Sequence, residues 1–339
     1  GLVGSEMCIR DSNIAMRRSW ADLFTAPVFF LLNRSNPDDK KNVRYAFYDI
    51  NGKITHHFSD NNKLSLSVYS GNDLLKAKAQ QVFDKGEHYD SDFKAKWGNL
   101  TTALTWNCQI TPKLSGSFTG AYSRNISMYD YVEGSRFFSD GEQTSMTGME
   151  RSNHSTIDDM GYRMEFDYRP GTNHHIRFGS NYLHHIYHPQ NTASKNQTDR
   201  DTLSAESASS YKGNEVAFYA EDEMRLSSKA KLNTGLHYTL YQTDGKIYHS
   251  LEPRLAMSYQ CSEKATMKVS YTEMSQFAHQ LSNTYLNLPT DSWVPSTRKV
   301  RPMRSRQVAA GIYTELPRHI RLNVEGYYRT TVSYTHLTL

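Results

Sequence analysis

The chain has 339 residues, 37% hydrophobic and 12% aromatic with 23 Tyr, a net charge of +4 and a mean hydropathy of −0.70. So small and evenly spread a charge gives no footing for nucleic acid, and no apolar run approaches the ~18 residues of a membrane helix, the longest being residues 26–32. Cys8, Cys108 and Cys261 stand too far apart to imply a disulfide framework or a zinc site.

In chain order, residues 1–12, "GLVGSEMCIRDS", lack the basic start and apolar stretch of a signal peptide. At the other end, residues 332–339, "VSYTHLTL", interrupt a strand pattern without turn chemistry. Both resemble translated adapter segments that flank metagenomic reading frames. The expectation is that residues 1–12 and 332–339 are foreign, and that residues 13–331 are an internal fragment of a gene.

That body alternates with period two, the primary strand signal. Leu64, Leu66 and Val68 form one series, followed by Leu100, Leu104 and Trp106 and then Leu114, Phe118 and Tyr122. In residues 161–188, Tyr162, Met164, Phe166 and Tyr168 alternate with Arg163, Glu165 and Asp167. A Pro-Gly turn follows, and Ile176, Phe178 and Tyr182 then alternate with Arg177, Gly179 and Asn181. The pattern continues through Phe218, Leu236, Leu255, Val269, Val308 and Val324, giving about twelve strands.

Tight turns fall at 60–63, 111–113, 170–173, 227–229, 261–264 and 317–319, separated by long polar segments at 72–91, 131–155, 190–213 and 276–305. In a meander, short turns collect at one end and long loops at the other, which is the habit of a bacterial outer-membrane barrel. The expected fold is therefore all-β: an antiparallel up-and-down meander forming part of a transmembrane β-barrel. Its apolar face is expected to meet outer-membrane lipid through Phe166, Phe178, Phe218, Leu236, Val269 and Val324. Its polar face would line a wet lumen, and Tyr168, Tyr182, Tyr259, Tyr271 and Tyr328 would form interfacial girdles. Asp222 is the exception, a carboxylate in phase with Ala220 and Met224.

Function is expected on the long loops carried by this scaffold. Tyr129, Tyr131, Phe137, Phe138, Trp293 and Arg298 are the candidate ligand contacts, the rings for stacking and Arg298 for charge. Residues 73–83, "DLLKAKAQQVF", suit a short helix within a loop. His184 and His188 share a strand face while His185 points away, too few imidazoles together for a closed metal site. No G-x-S-x-G elbow, P-loop or G-x-G-x-x-G fingerprint occurs. The Ser, His and Asp of "SNHSTIDDM", residues 152–160, are of kinds common in any polar loop, so neither an enzyme nor a cofactor is expected.

Several stretches resemble the TonB-dependent outer-membrane receptors of Bacteroidetes-type bacteria: "RRSWADLFTAPVF" (17–29), "YDINGKITHHFSDNNKLSLSVYSGND" (48–73), "VAFYAEDEMRLSSKAKLNTGLHYTLY" (216–241) and "LEPRLAMSYQCSEKATMKVSYTEMSQF" (251–277). The most distinctive is "LSNTYLNLPTDSWVPSTRKVRP" (281–302). The resemblance implies a plugged barrel of about 22 strands, uptake of a nutrient, power from the TonB system through an N-terminal region, and in glycan importers a lipoprotein lid. With about half the strands, the sheet should show an open edge or a strained closure. The alternative is a secreted or surface β-sheet protein that binds glycan without transport.

Overall fold

The structure, a computed structural model, describes residues 10–83, 86–139, 142–199, 201–281, 292–317 and 320–332. It opens with β1 (Arg10–Arg18), α1 (Ala21–Ser35), β2 (Asp39–Ser59), β3 (Asn62–Phe83), β4 (Glu87–Thr111) and β5 (Leu114–Ser139). Next come β6 (Glu142–Tyr168), β7 (His174–Thr198), β8 (Thr202–Ala208), β9 (Tyr211–Arg225), β10 (Ala230–Thr243) and β11 (Lys246–Ser262). The last are β12 (Ala265–Gln276), β13 (Ala278–Leu281), β14 (Ser292–Pro295), β15 (Met303–Leu316) and β16 (Ile320–Val332).

Fourteen of these strands form one sheet, and β13 with β14 forms a separate ribbon. Neighbours in sequence pair antiparallel from β1 to β7; β7 then pairs with both β8 and β9, and the meander runs on through β10, β11, β12, β15 and β16. Among the described residues no pairing joins β1 to β16, so the sheet is open, the first of the two expected outcomes. Among the described residues, strand pairing runs from Arg10 to Val332.

The short turns fall where expected at 60–61, 112–113, 169–173, 226–229 and 263–264; residues 318–319 of the last lie outside the described residues. The opposite end corrects the sequence reading. Residues 72–83 and 87–91 are not loop but the continuation of β3 and β4, paired residue by residue from Asn72↔Gly98 to Phe83↔Glu87. The helix expected at 73–83 is therefore strand, and residues 131–139 and 142–155 belong to β5 and β6. Long-range pairing outweighs the weak strand preference of Lys, Gln and Asp in these stretches. Strands of 21 to 27 residues greatly exceed the roughly 9–11 needed to cross a bilayer, so β2–β7 stand well clear of it. Between β10 and β11 the turn is two residues, Asp244 (φ +46°) and Gly245 (φ +65°), the left-handed pair that a tight hairpin requires.

Register makes the two faces continuous. Trp106 lies opposite Phe118, Phe118 opposite Met164, and Phe166 opposite Phe178. Their rings form a ladder: Trp106–Phe118 5.3 Å, Phe118–Phe166 5.7 Å and Phe166–Phe178 5.1 Å between centroids. Phe178, Phe218, Leu236, Val269 and Val324 continue this face and are exposed, Phe218 by 53% and Val324 by 59%. All five girdle tyrosines project from it as well. Asp222 also projects there, three residues from the end of β9, where its Oδ2 meets Nδ1 of His174 at 2.7 Å. The opposite face is polar along its lower half, with Asn233, His237, Asn181 and Glu221 on it.

Burial concentrates in one place. Residues 277–281 and 292–297 fold back over the polar face of β7–β11, and Tyr241, Pro295, Ser292 and Ser296 are all but fully buried there. Phe277 stacks on Tyr241 at 4.6 Å and 16°. Gly213 makes room for that tyrosine, since a Cβ would sit 2.6 Å from Tyr241 Oη.

Candidate ligand-binding wall

Above the height of the membrane, the polar face of β2–β5 becomes aromatic. Register places Phe47 opposite Asp73 and Asp73 opposite Trp97; Tyr45, Leu75, Ala95 and Tyr129 form the next row, and Val43, Ala77, Phe93 and Tyr131 the one above. Alternation explains the patch: Tyr45 and Phe47, Phe93 and Trp97, and Tyr129 and Tyr131 each recur at even spacing and so share a face. Tyr45 and Trp97 stack at 6.3 Å and 22°, and Phe93 and Tyr129 at 6.4 Å and 29°. All of these rings are half-buried.

Two carboxylates border the rings. Tyr45 Oη donates to Asp73 Oδ1. Tyr131 Oη donates to Glu133 Oε2 at 2.5 Å, and Tyr89 Oη donates to the same oxygen at 3.0 Å. The bond to Glu133, with Tyr89 beside it, holds the Tyr131 phenol well above the usual tyrosine range. The wall thus offers flat apolar surfaces flanked by fixed acceptors, a surface suited to stacking on sugar or aromatic rings and bonding their hydroxyl groups.

A second cluster lies lower on the same face. His185 Nδ1 meets Asp159 Oδ1 at 2.6 Å, and its Nε2 lies 4.0 Å from Glu215 Oε2. Glu252 Oε1 accepts from Ser250 Oγ and from the Ser275 amide, both at 3.0 Å, while His237 Nδ1 approaches Oε2 at 3.4 Å. Among the described residues no three His, Cys, Asp or Glu side chains form a metal-binding group.

The residues singled out from sequence divide accordingly. Tyr129 and Tyr131 lie within the aromatic wall, on β5 rather than on a loop. Phe137 and Phe138 stand at the far tip of β5, also on strand, with Phe138 packed on His88 at 4.8 Å. Trp293 lies on β14, opposite Gln280. Arg298 is spent on structure, its Nε donating to the Asp244 carbonyl at 3.0 Å. Sequence reasoning missed Tyr45, Phe47, Tyr89, Phe93 and Trp97; carrying period two through the polar segments would have found them.

A tall antiparallel meander with one apolar exposed face, one polar face and strands running far beyond the bilayer defines the wall of a transmembrane β-barrel. A family model described as "TonB dependent receptor-like, beta-barrel" matches residues 27–334. The chain belongs to this family, which places it in the outer membrane and sets aside the secreted-sheet alternative. Among solved structures, the outer membrane transporter YddB from Escherichia coli is similar at a TM-score of 0.51 and 10% identity, over 84% of this chain and 46% of that one. The copper transporter OprC gives 0.50 and 8%, over 86% and 53%. The ferric-catecholate import receptor Fiu from E. coli K12 gives 0.49 and 9%, over 85% and 57%. The chain thus spans about half the length of these structures, and at 8% and 10% identity the likeness to OprC and YddB shows the fold alone. A search of curated proteins finds no match.

Proposed function

We propose that the protein is barrel wall from a TonB-dependent receptor that imports a specific nutrient, with the ligand held against the aromatic face of β2–β5. The observation that carries this reading is the juxtaposition of Tyr45, Trp97, Phe93, Tyr129 and Tyr131 on the lumen side, above the height of the membrane. The apolar band from Phe166 to Val324 meets lipid. The complete receptor draws energy from the TonB system through a plug and N-terminal segment outside this chain. A lipoprotein lid would sit over the upper rim of β2–β8. Sugar rings or a ring-bearing chelate are the ligand classes that a stacking wall favours.

The test is uptake by cells carrying the complete receptor, using labelled oligosaccharide and ferric-catechol probes. Trp97→Ala and Tyr129→Ala should each cut uptake of the transported probe about ten-fold, since a stacked ring contributes on the order of 1–1.5 kcal/mol. Outer-membrane assembly should stay unchanged. Undiminished uptake by both variants would place the ligand elsewhere.

A further inference from the structure

On the opposite side of those same strands lies a feature that ligand uptake does not use. Arg44 stands directly opposite Lys76, and Lys76 directly opposite Lys94. Lys78 and Lys96 flank this row, two residues away on β3 and β4. Like charges on directly paired positions, with Cβ atoms about 5 Å apart, destabilise a sheet unless something neutralises them.

The protein supplies little neutralisation. Asp92 takes Lys78 at 2.8 Å and Lys94 at 3.7 Å. Arg44 Nε reaches only the neutral Asn42 Oδ1, at 3.3 Å. Lys76 and Lys96 have no partner among the described residues. Five cations therefore face two carboxylates in these rows, Asp92 and Asp130, the latter opposite Lys94 and engaged by His154 Nε2 at 3.4 Å; Arg44, Lys76, Lys78 and Lys94 are exposed.

Their face and height identify the missing anion. Arg44, Lys76 and Lys94 alternate with Tyr45, Leu75 and Ala95, so they point away from the aromatic wall and lie on the apolar face. Ala46 and Leu74 come two residues lower on the same face and Tyr48 four residues lower, about 7 and 13 Å down the strands. The cations thus begin where the apolar band ends, at the level of outer-leaflet headgroups, where Lys and Arg favour anionic lipid.

We propose that Arg44, Lys76, Lys94 and Lys96 form a docking site for the phosphate groups of an outer-leaflet glycolipid, which clamps the upper rim of β2–β4. The site rests on the reading of the apolar band as the lipid-facing one; failure of that reading would appear separately, as tolerance of Phe218→Arg in membrane assembly. The phosphates bridge neighbouring cations across strands, and the acyl chains lie along Leu66, Val68, Leu100 and Leu104 below.

The test titrates the complete receptor, purified in detergent micelles, with lipid A, with its dephosphorylated form and with inorganic phosphate, and reads binding by native mass spectrometry. Wild-type receptor should prefer lipid A over the dephosphorylated lipid by about ten-fold or more. Combined Arg44→Gln, Lys76→Gln, Lys94→Gln and Lys96→Gln should abolish the preference while circular dichroism still reports a folded sheet. Combined Lys53→Gln, Lys63→Gln, Lys229→Gln and Lys231→Gln, from the polar face and the short-turn end, should retain it. Absence of a preference in the wild-type receptor would overturn the proposal, as would equal loss in the second variant. Displacement of lipid A by inorganic phosphate at equal concentration would make this a free-anion site and would likewise overturn it.

Discussion

The side chain of Asn33 acts toward Lys41 as a neighbouring strand would: Nδ2 donates to the Lys41 carbonyl and Oδ1 accepts from the Lys41 amide, both at 2.8 Å. It does so where β1 has stopped. The β1–β2 pairing ends at Arg18↔Tyr48, and Ser19 then closes Phe47 through its amide and its hydroxyl, at 2.8 and 2.9 Å. Helix α1 covers the remaining upper edge of β2. An uncovered edge is a template for pairing with another chain.

Asn33→Ala should therefore speed amide exchange at Lys41 about five- to ten-fold, the equivalent of a hydrogen bond contributing about 1 kcal/mol. Asn33→Asp, which can accept but not donate, should fall between. Hydrogen–deuterium exchange by mass spectrometry gives the comparison, and equal protection in all three proteins would deny the capping role.

The face assignment is testable by one pair of substitutions. Phe218 projects from the apolar face, and Asn233 from the polar face of the neighbouring strand. Phe218→Arg should cost about 2–4 kcal/mol in the bilayer and impair assembly, while Asn233→Arg should assemble like the wild type. Heat-modifiable mobility of the outer-membrane fraction is the readout, and equal assembly of the two would refute the assignment.

Much of this fold could be read in the sequence because period two survives wherever one face must be apolar. Tyr162 to Tyr168 and Leu232 to Leu240 could hardly have been read otherwise. Above the membrane both faces meet water, so β3 beyond Asn72 loses its apolar half, and Lys76, Lys78 and Gln80 there resemble a loop. The sequence-based reading of Asp222 as anomalous had the same root, since pairing with His174 near the end of β9 depends on a neighbour 48 residues away. The aromatic wall was half legible: Tyr129 and Tyr131 stood out singly, but their grouping with Phe93, Trp97 and Tyr45 is a matter of register, which local pattern does not carry. Helix α1 was hidden by Pro27 and by the strand-like "FTAPVFF".

Tyr131 offers a spectroscopic check of the wall. Its hydroxyl is committed to Glu133, which favours the protonated phenol. The difference in absorbance at 295 nm between wild type and Tyr131→Phe should show no tyrosinate at a pH near 10, the ordinary midpoint. Glu133→Gln should bring that ionisation back toward 10. The sign for stability follows: the unfolded chain releases this proton first, so the contribution is intact below pH 10 and is lost as the pH rises further. A Tyr131 that titrates normally in the wild type would contradict the geometry.

Acid should act on the returning segment through His279. This side chain lies on β13, outside the spanning strands, only 5% exposed, with its Nε2 3.0 Å from Ser296 Oγ. Burial disfavours the imidazolium and lowers its pKa. A depressed histidine stabilises the folded arrangement at a pH above its ordinary value of about 6.5, and that contribution fades as the pH falls, because the opened segment takes up the proton more readily. Lowering the pH from 7.5 to 5 should thus loosen the contact between Phe277 and Ser296, whose amide donates to the Phe277 carbonyl at 2.7 Å. Exchange at the Ser296 amide should rise several-fold more than at Thr239, which sits within the main sheet. His279→Gln, which can still bond Ser296 but does not titrate, should remove the difference. If the variant keeps the full acid response, another group opens the segment and His279 is only a packing residue.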